Sequence, residues 1–152
     1  MHLSFVCSGN ICRSPMAAMV LTEHLRRAGL AERVRVTSAG TGPWHVGEPA
    51  DARAAETLRR NRYPVEHVAA QVDDEHLAAD LLLAADAGHL RALRGKLAEP
   101  ERAVLLRSFD PNAPEGAEIP DPYYGGENGF DEVLGMIESA VPQLVEWVRS
   151  RL

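Results

Sequence analysis

At 152 residues, with 45% apolar and 25% charged side chains, the chain has the size and composition of one soluble globular domain rather than two. Its formal net charge of −6 argues against a nucleic-acid binder relying on a broad basic surface, though not against a small, locally positive pocket. No apolar run approaches the roughly 20 residues that span a bilayer. The opening "MHLSFVC" has neither a basic leader nor a long apolar core, so a cytoplasmic protein without membrane attachment is expected.

Residues 3–6, "LSFV", read as a short buried strand. Helical spacing follows, with Ala17, Val20, Leu21 and Leu25 on one face and Gly29 as the stop. Ser14 before Pro15 predicts a helix start, with serine as N-cap and proline at the first helical position. "RVRVTS" (33–38) alternates like a strand, and the Gly and Pro of 39–49 predict a loop. A helix from about Asp51 to Asn61 follows, capped by Asp51. "DDE" (73–75) reads as another helix N-terminus. "LLLAA" (81–85) predicts a fully buried strand, Gly88 to Lys96 a short helix, and "AVLLRSF" (103–109) the last strand.

Five of the ten prolines fall between Pro100 and Pro122, which predicts a long ordered loop over 110–129. The final helix carries Phe130, Val133, Leu134, Ile137, Val141, Leu144, Val145 and Val148 at core-facing spacing, and Pro142 predicts a kink. Strands alternating with helices imply an α/β fold, a parallel sheet covered on both faces. Ligands in such folds bind beyond the carboxyl ends of the strands, where Cys7 falls.

The stretch "VCSGNICRSP" (6–15) holds both of the chain's cysteines, Cys7 and Cys12. Two cysteines this close cannot form a stabilising disulfide framework, so their role is chemical. Gly9 and Asn10 tolerate unusual backbone angles. A tight loop between strand and helix turns its N–H groups inward, making an anion nest beside the positive helix end. Arg13 adds a two-pronged grip on phosphate oxygens, and Ser14 lies within reach of the sulfur. Cys7 is thereby placed as a nucleophile at the floor of a phosphate-shaped cradle. The simpler alternative makes Cys7 a buried strand residue and Arg13 a surface charge. An ATP-binding P-loop is excluded, because it needs GxxxxGK[ST] and the first lysine is Lys96.

Expelling an alkoxide or phenoxide from a phosphate monoester calls for a proton donor. "DPYYGG" (121–126) can reach the same edge of the sheet. It offers Asp121 as the acid, with Tyr123 and Tyr124 as an aromatic wall. Taken alone this stretch is an ordinary turn, and it acquires weight beside the cysteine loop. The six histidines show no metal-ligand spacing, so no metal and no cofactor are expected. His45 beside Trp44 fits a pocket mouth or a plain surface loop.

With "FVCSGNICRSPMA", "TSAGT" (37–41), "WHVGEPADARA" and "DPYYGG" in this order, the chain resembles the low-molecular-weight protein tyrosine phosphatases over most of its length. The resemblance implies a four-stranded parallel sheet flanked by helices and a metal-independent, two-step hydrolysis of phosphotyrosine proteins that proceeds through a phosphocysteine. Within it Cys7 attacks phosphorus, and Arg13 and the loop from Ser8, Gly9, Asn10, Ile11 and Cys12 hold the oxygens. Asp121 protonates the leaving group and then activates water. Ser14 supports the sulfur, while Asn10, Ser38 and His67 hold the loop in shape. Trp44, Tyr123 and Tyr124 shape the mouth, and Cys12 can pair reversibly with Cys7 on oxidation. A monomer is expected, with no nucleic-acid or membrane partner.

Ser8 departs from the apolar residue or Thr of many relatives, with little effect expected. "AADAGHL" (84–90) lacks the Met and Asn that flank Asp86 elsewhere, which leaves Asp86 without an assigned role. Thioredoxin-coupled arsenate reductases need cysteines beyond Cys12 and are nearly excluded. Arginine phosphatases carry Thr where this chain has Ile11 and form the runner-up. A phosphotyrosine-binding module without activity would need neither Cys7 nor Asp121.

Overall fold

A computed structural model describes residues 1–126 and 128–152. Four strands, β1 (His2–Cys7), β2 (Arg35–Gly40), β3 (Leu81–Ala84) and β4 (Ala103–Leu105), form one parallel sheet in the order β2-β1-β3-β4. The helices are α1 (Arg13–Arg27), α2 (Ala52–Arg60), α3 (Asp74–Leu77), α4 (Ala87–Arg94) and α5 (Gly129–Arg151). The four-stranded α/β architecture expected from the sequence is the one observed.

The pleat divides β1 between two cores. Leu3, Phe5 and Cys7 belong to the core shared with α1 and α5, whereas Val6 belongs to the opposite core with Leu82, Ala84, Leu93 and Ala103. Each large apolar side chain so buried contributes about 1.5–3 kcal/mol. β1 is central, with β2 on one side and β3 on the other, so the chain's crossovers diverge at its carboxyl end. That divergence opens a crevice, and Cys7 is the last residue of the strand leading into it.

Several local features follow the sequence. α1 stops where Gly29 adopts φ 74°, which lets Leu30 N–H reach the Leu25 carbonyl at 2.9 Å. Asp51 caps α2 by accepting from Arg53 N–H, and Asp73 caps α3. α5 buries all eight of its expected core residues and continues through Pro142.

Other features differ. α1 begins at Arg13, and Cys12 stands at its cap position without a side-chain bond. Ser14 is therefore not the N-cap; its hydroxyl is turned toward Cys7 and Asn10 instead. The second strand starts at Arg35 and runs on to Gly40, with a 3₁₀ turn over Ala31–Arg33 before it. The last strand ends at Leu105, because Leu106–Phe109 curl into a 3₁₀ turn beneath α5. There Leu106 is buried, and Phe109 meets Trp147 edge-on at 6.5 Å. Packing against α5 outweighs the strand propensity of an edge segment. The loop expected over 110–129 holds a 3₁₀ turn at Pro122–Tyr124; its residue 127 lies outside the described residues.

Gly40 sits where β2 passes under the loop after β1. A Cβ there would lie 2.5 Å from the Ser8 carbonyl oxygen and 3.2 Å from Asn10 N, both backbone atoms. Gly40→Ala is thus expected to cost about 1–3 kcal/mol, by overpacking, and to displace the loop. Chemical denaturation read alongside activity tests this; an unchanged midpoint with unchanged activity would contradict the close approach.

Candidate active site

The loop from Cys7 to Cys12 is held from outside through its carbonyls. Cys7 O accepts from Thr41 N–H at 2.9 Å, Ser8 O from Gly42 N–H at 3.1 Å and Ile11 O from Asp51 N–H at 2.9 Å. His67 Nε2 donates to Asn10 O at 2.6 Å. Peptide planes anchored outward by their oxygens present their N–H groups inward. Among the described residues, the N–H groups of 8–12 meet no acceptor. The loop is a nest of free donors opening at the N-terminus of α1.

Asn10 makes this shape possible. It takes the left-handed conformation, φ 60°, which asparagine adopts more readily than most residues. Its Oδ1 accepts from Ala70 N–H at 2.9 Å, which fixes the amide's orientation. Both Nδ2 protons then go to hydroxyls, one to Ser14 Oγ at 2.7 Å and one to Ser38 Oγ at 3.0 Å. Gly9, by contrast, stays out of the left-handed region. A Cβ there would lie 2.8 Å from the His45 ring, so any larger residue would require that partly exposed side chain to move.

This wiring decides what Ser14 does. Its oxygen already accepts from Asn10, so its one proton is free for the nearer of two acceptors. Cys7 Sγ is 2.8 Å away and the Ala39 carbonyl 3.5 Å, and the sulfur is favoured. Ser14 is thereby placed to donate to Cys7. The two cysteines are free and both are buried. Burial, reinforced by Asp51, pushes the Cys12 thiol up to about 12, so Cys12 stays protonated at neutral pH.

Arg13 is 5% exposed and fixed by one nitrogen. Nη1 donates to Asp86 Oδ2 at 3.1 Å and to the Ile119 carbonyl at 3.0 Å. Among the described residues, no hydrogen-bond acceptor meets Nε or Nη2, and Nη2 lies 3.8 Å from Asp121 Oδ2. The free edge is left for an anion, in the fork geometry that suits phosphate. Burial works against ionisation of Asp86, but the His89 N–H bond and the nearby positive charge of Arg13 outweigh it and hold its carboxyl below the usual range.

Asp121 projects from the 3₁₀ turn and accepts from Tyr123 N–H at 3.0 Å through Oδ1. Arg53 ties that turn to α2. It chelates Asp51, donates to the Tyr123 carbonyl at 3.2 Å, and stacks over the Tyr123 ring at 5.2 Å and Phe130 at 4.8 Å. The Tyr123 and Tyr124 rings meet edge-on at 4.9 Å.

These parts line one cavity of about 430 Å³. Cys7, Ser8, Gly9, Ile11, Cys12 and Arg13 form its base, while Trp44, His45, Asp121, Tyr123 and Tyr124 form its walls. Every cradle, acid and mouth residue singled out from the sequence is there, except that Asn10, Ser14, Ser38 and His67 stand behind the loop. Among the described residues, no three His, Cys, Asp or Glu side chains are placed to hold a metal ion, and no helix is long and apolar enough to cross a membrane. Two residues were missed, His89 and Arg53, and Asp86 had no assigned role. Asp86 and His89 have the three-residue spacing of a capping box, the one signal available in the sequence. What they touch across the fold left no local trace.

His67 is buried behind the loop, and burial holds its ring below the ordinary value of 6.5, against the opposing pull of the Asn10 carbonyl. The unfolded chain takes up this proton as pH falls through 6.5, whereas the folded chain does not until lower pH. The stability it carries is thus complete above 6.5 and is lost as pH falls through the folded value. The urea midpoint should drop between about pH 7 and about pH 5.5, and drop less in His67→Gln. Equal pH dependence in the two proteins would contradict a buried neutral ring.

A family model described as low molecular weight phosphotyrosine protein phosphatase matches residues 2–152. The low molecular weight protein-tyrosine phosphatase A of Mycobacterium tuberculosis is 56% identical over 153 residues, spanning 100% of this chain and 94% of that protein. The low molecular weight protein-tyrosine-phosphatase of Streptomyces coelicolor is 48% identical over 157 residues, spanning 99% and 95%. Among solved structures, a protein tyrosine phosphatase from Entamoeba histolytica with Hepes in the active site superposes with a TM-score of 0.92 at 32% identity, over 100% of this chain and 99% of that one. The YwlE arginine phosphatase, solved with a phosphorylated active-site serine, superposes with a TM-score of 0.87 at 26% identity, over 98% and 96%. With a family match over residues 2–152, a relative 56% identical across the whole chain and the same overall fold, this chain belongs to the low molecular weight phosphotyrosine protein phosphatase family.

Proposed function

We propose that the chain hydrolyses phosphotyrosine in proteins by a two-step, metal-independent route through Cys7. The observation that carries this reading is the single cavity in which Cys7, Arg13 and Asp121 stand together under an aromatic rim. The phosphoryl group enters the nest with its oxygens on the loop N–H groups and the free edge of Arg13. The Cys7 sulfur, in its anionic form, attacks phosphorus in line. An S–P bond forms as the P–O bond to the tyrosine breaks, and Asp121 gives its proton to the departing phenolate oxygen. Water then attacks the phosphocysteine and Asp121 takes its proton, releasing inorganic phosphate and the Cys7 sulfur. Developing charge is met by donors already in position, the usual source of the largest catalytic term.

Ile11 on the base, with Trp44, Tyr123 and Tyr124 on the walls, offers apolar and aromatic surface to a flat ring. These residues therefore favour phosphotyrosine over phosphoarginine, whose guanidinium needs polar partners. Cys12 takes no part in the turnover chemistry as a protonated thiol; its place on the same base suits capture of an oxidised Cys7.

The test is hydrolysis of matched phosphotyrosine, phosphoserine and phosphoarginine peptides with EDTA present and Cys7→Ser as control. Release from phosphotyrosine alone is expected. Preference for phosphoarginine would overturn the specificity argued from Ile11, and loss of activity in EDTA would overturn the metal-independent route.

A further inference from the structure

The turnover scheme above leaves unused a buried side chain beside the cysteine loop. His89, 5% exposed at the third position of α4, points its ring at the cysteine loop. Its Nδ1 accepts from the Asp86 backbone N–H at 3.3 Å, and its Nε2 lies 2.9 Å from Ser8 Oγ. The same nitrogen lies 3.1 Å from Asp86 Oδ1 without a hydrogen bond to it, so Nδ1 is assigned as the acceptor of the backbone N–H, and the proton of the neutral imidazole is then on Nε2 and donated to Ser8. Burial keeps the ring neutral, lowering its pKa against the pull of Asp86.

The consequence falls on Ser8. One lone pair of its oxygen is taken by His89, and among the described residues its hydroxyl has no other partner. Its own proton is therefore unspent, on a side chain that lines the cavity beside Cys7, Gly9 and Arg13. The cradle needs donors there, since a phosphoryl group carries three non-bridging oxygens with several lone pairs each.

We propose that the Ser8 hydroxyl is a phosphate-binding donor and that His89 is the positioning residue that aims it. Asp86 joins the two ends of the loop in this arrangement. One oxygen accepts from His89 N–H at 3.0 Å, and the other takes Arg13 Nη1 at 3.1 Å. The N-terminus of α4 thus sets the residue after the nucleophile and the arginine that closes the loop at the same time. The inference rests on the phosphatase reading and adds two named roles to it. It also reverses the expectation that serine at position 8 has little effect.

The readouts are the inhibition constant for inorganic phosphate and kcat/KM on an aryl phosphate. Ser8→Ala is expected to weaken phosphate about tenfold, the value of a hydrogen bond to a charged acceptor, and to lower kcat/KM in parallel. Ser8→Thr keeps the hydroxyl and should restore both. His89→Leu should weaken phosphate about threefold when Ser8 is present and have no further effect alongside Ser8→Ala. His89→Gln preserves a donor near the Nε2 position, tests the same point if the aliphatic variant fails to fold, and should stay near wild type. Phosphate affinity unchanged in Ser8→Ala would overturn the binding role. Equal losses on changing His89 with and without Ser8 would overturn the positioning role. If the wild type hydrolyses no phosphoester, the phosphatase reading falls first; if it turns over normally and only the Ser8 and His89 effects are missing, this inference alone falls.

Discussion

Cys7→Ser is expected to lower turnover of aryl phosphates by at least about 10⁴-fold while leaving phosphate affinity within about threefold. Removing a residue that forms the covalent bond takes away the step itself, whereas the binding donors are elsewhere. Loop N–H groups, the free edge of Arg13 and the outward anchors on the Cys7, Ser8, Asn10 and Ile11 carbonyls are all untouched by the change. A substituted hydroxyl would not inherit the role, because a serine needs a base to take its proton. Ser14 cannot serve as that base, since its oxygen already accepts from Asn10 and its proton is directed at position 7. Steady-state turnover together with calorimetric titration of inorganic phosphate distinguishes the outcomes. Turnover near wild type would refute a covalent route through Cys7, and loss of binding along with turnover would mean the loop had collapsed.

Asp121→Asn should lower kcat/KM for a phosphotyrosine peptide by about 10²–10⁴-fold, the usual worth of a general acid, and much less for an activated nitrophenyl ester. The difference arises because a tyrosine leaving group needs its proton as the P–O bond breaks, whereas a nitrophenolate leaves unaided. The ratio kcat/KM reports only the steps up to departure of the alcohol, so it isolates this role from the later activation of water. Asparagine preserves the turn, because its side-chain oxygen can still accept from Tyr123 N–H as Asp121 does at 3.0 Å. Arg53, which holds the same turn through the Tyr123 carbonyl and ring, is also unaffected. An equal loss on both substrates would place Asp121 among the binding residues rather than as the acid.

Much of the site was legible in the sequence because its parts are local. The cysteine loop is continuous from Cys7 to Ser14, and the turn bearing Asp121, Tyr123 and Tyr124 is continuous as well. Short-range chemistry of this kind can be read from neighbouring residue types once the two stretches are taken together. Ser14 shows where such reading goes wrong. Serine before proline is a good helix cap by local propensity, yet its hydroxyl has stronger claims on it from Asn10 and Cys7, so the helix starts at Arg13 without a side-chain cap. The segment 103–109 shows the same competition at the level of packing. Its apolar residues suit a strand, but after Leu105 burial of Leu106 and Phe109 against α5 gains more than one further edge pairing would.

Asp86 and His89 mark the opposite limit. Each has an ordinary local duty, the capping box of α4, and that duty was all the local sequence could express. Their contacts with Arg13 and Ser8 span 73 and 81 residues and exist only because β3 lies beside β1 and delivers α4 to the loop. The sequence by itself singled out Cys7, the loop that follows it and Asp121 as candidates for nucleophile, cradle and acid, because two short stretches of suggestive residue types occur together in one chain. Only the tertiary structure decided which partners the Ser14 and Ser8 hydroxyls point toward and which edge of Arg13 is free. Those directions depend on partners brought together by the parallel sheet, and a hydrogen bond has no direction until both of its ends are in place.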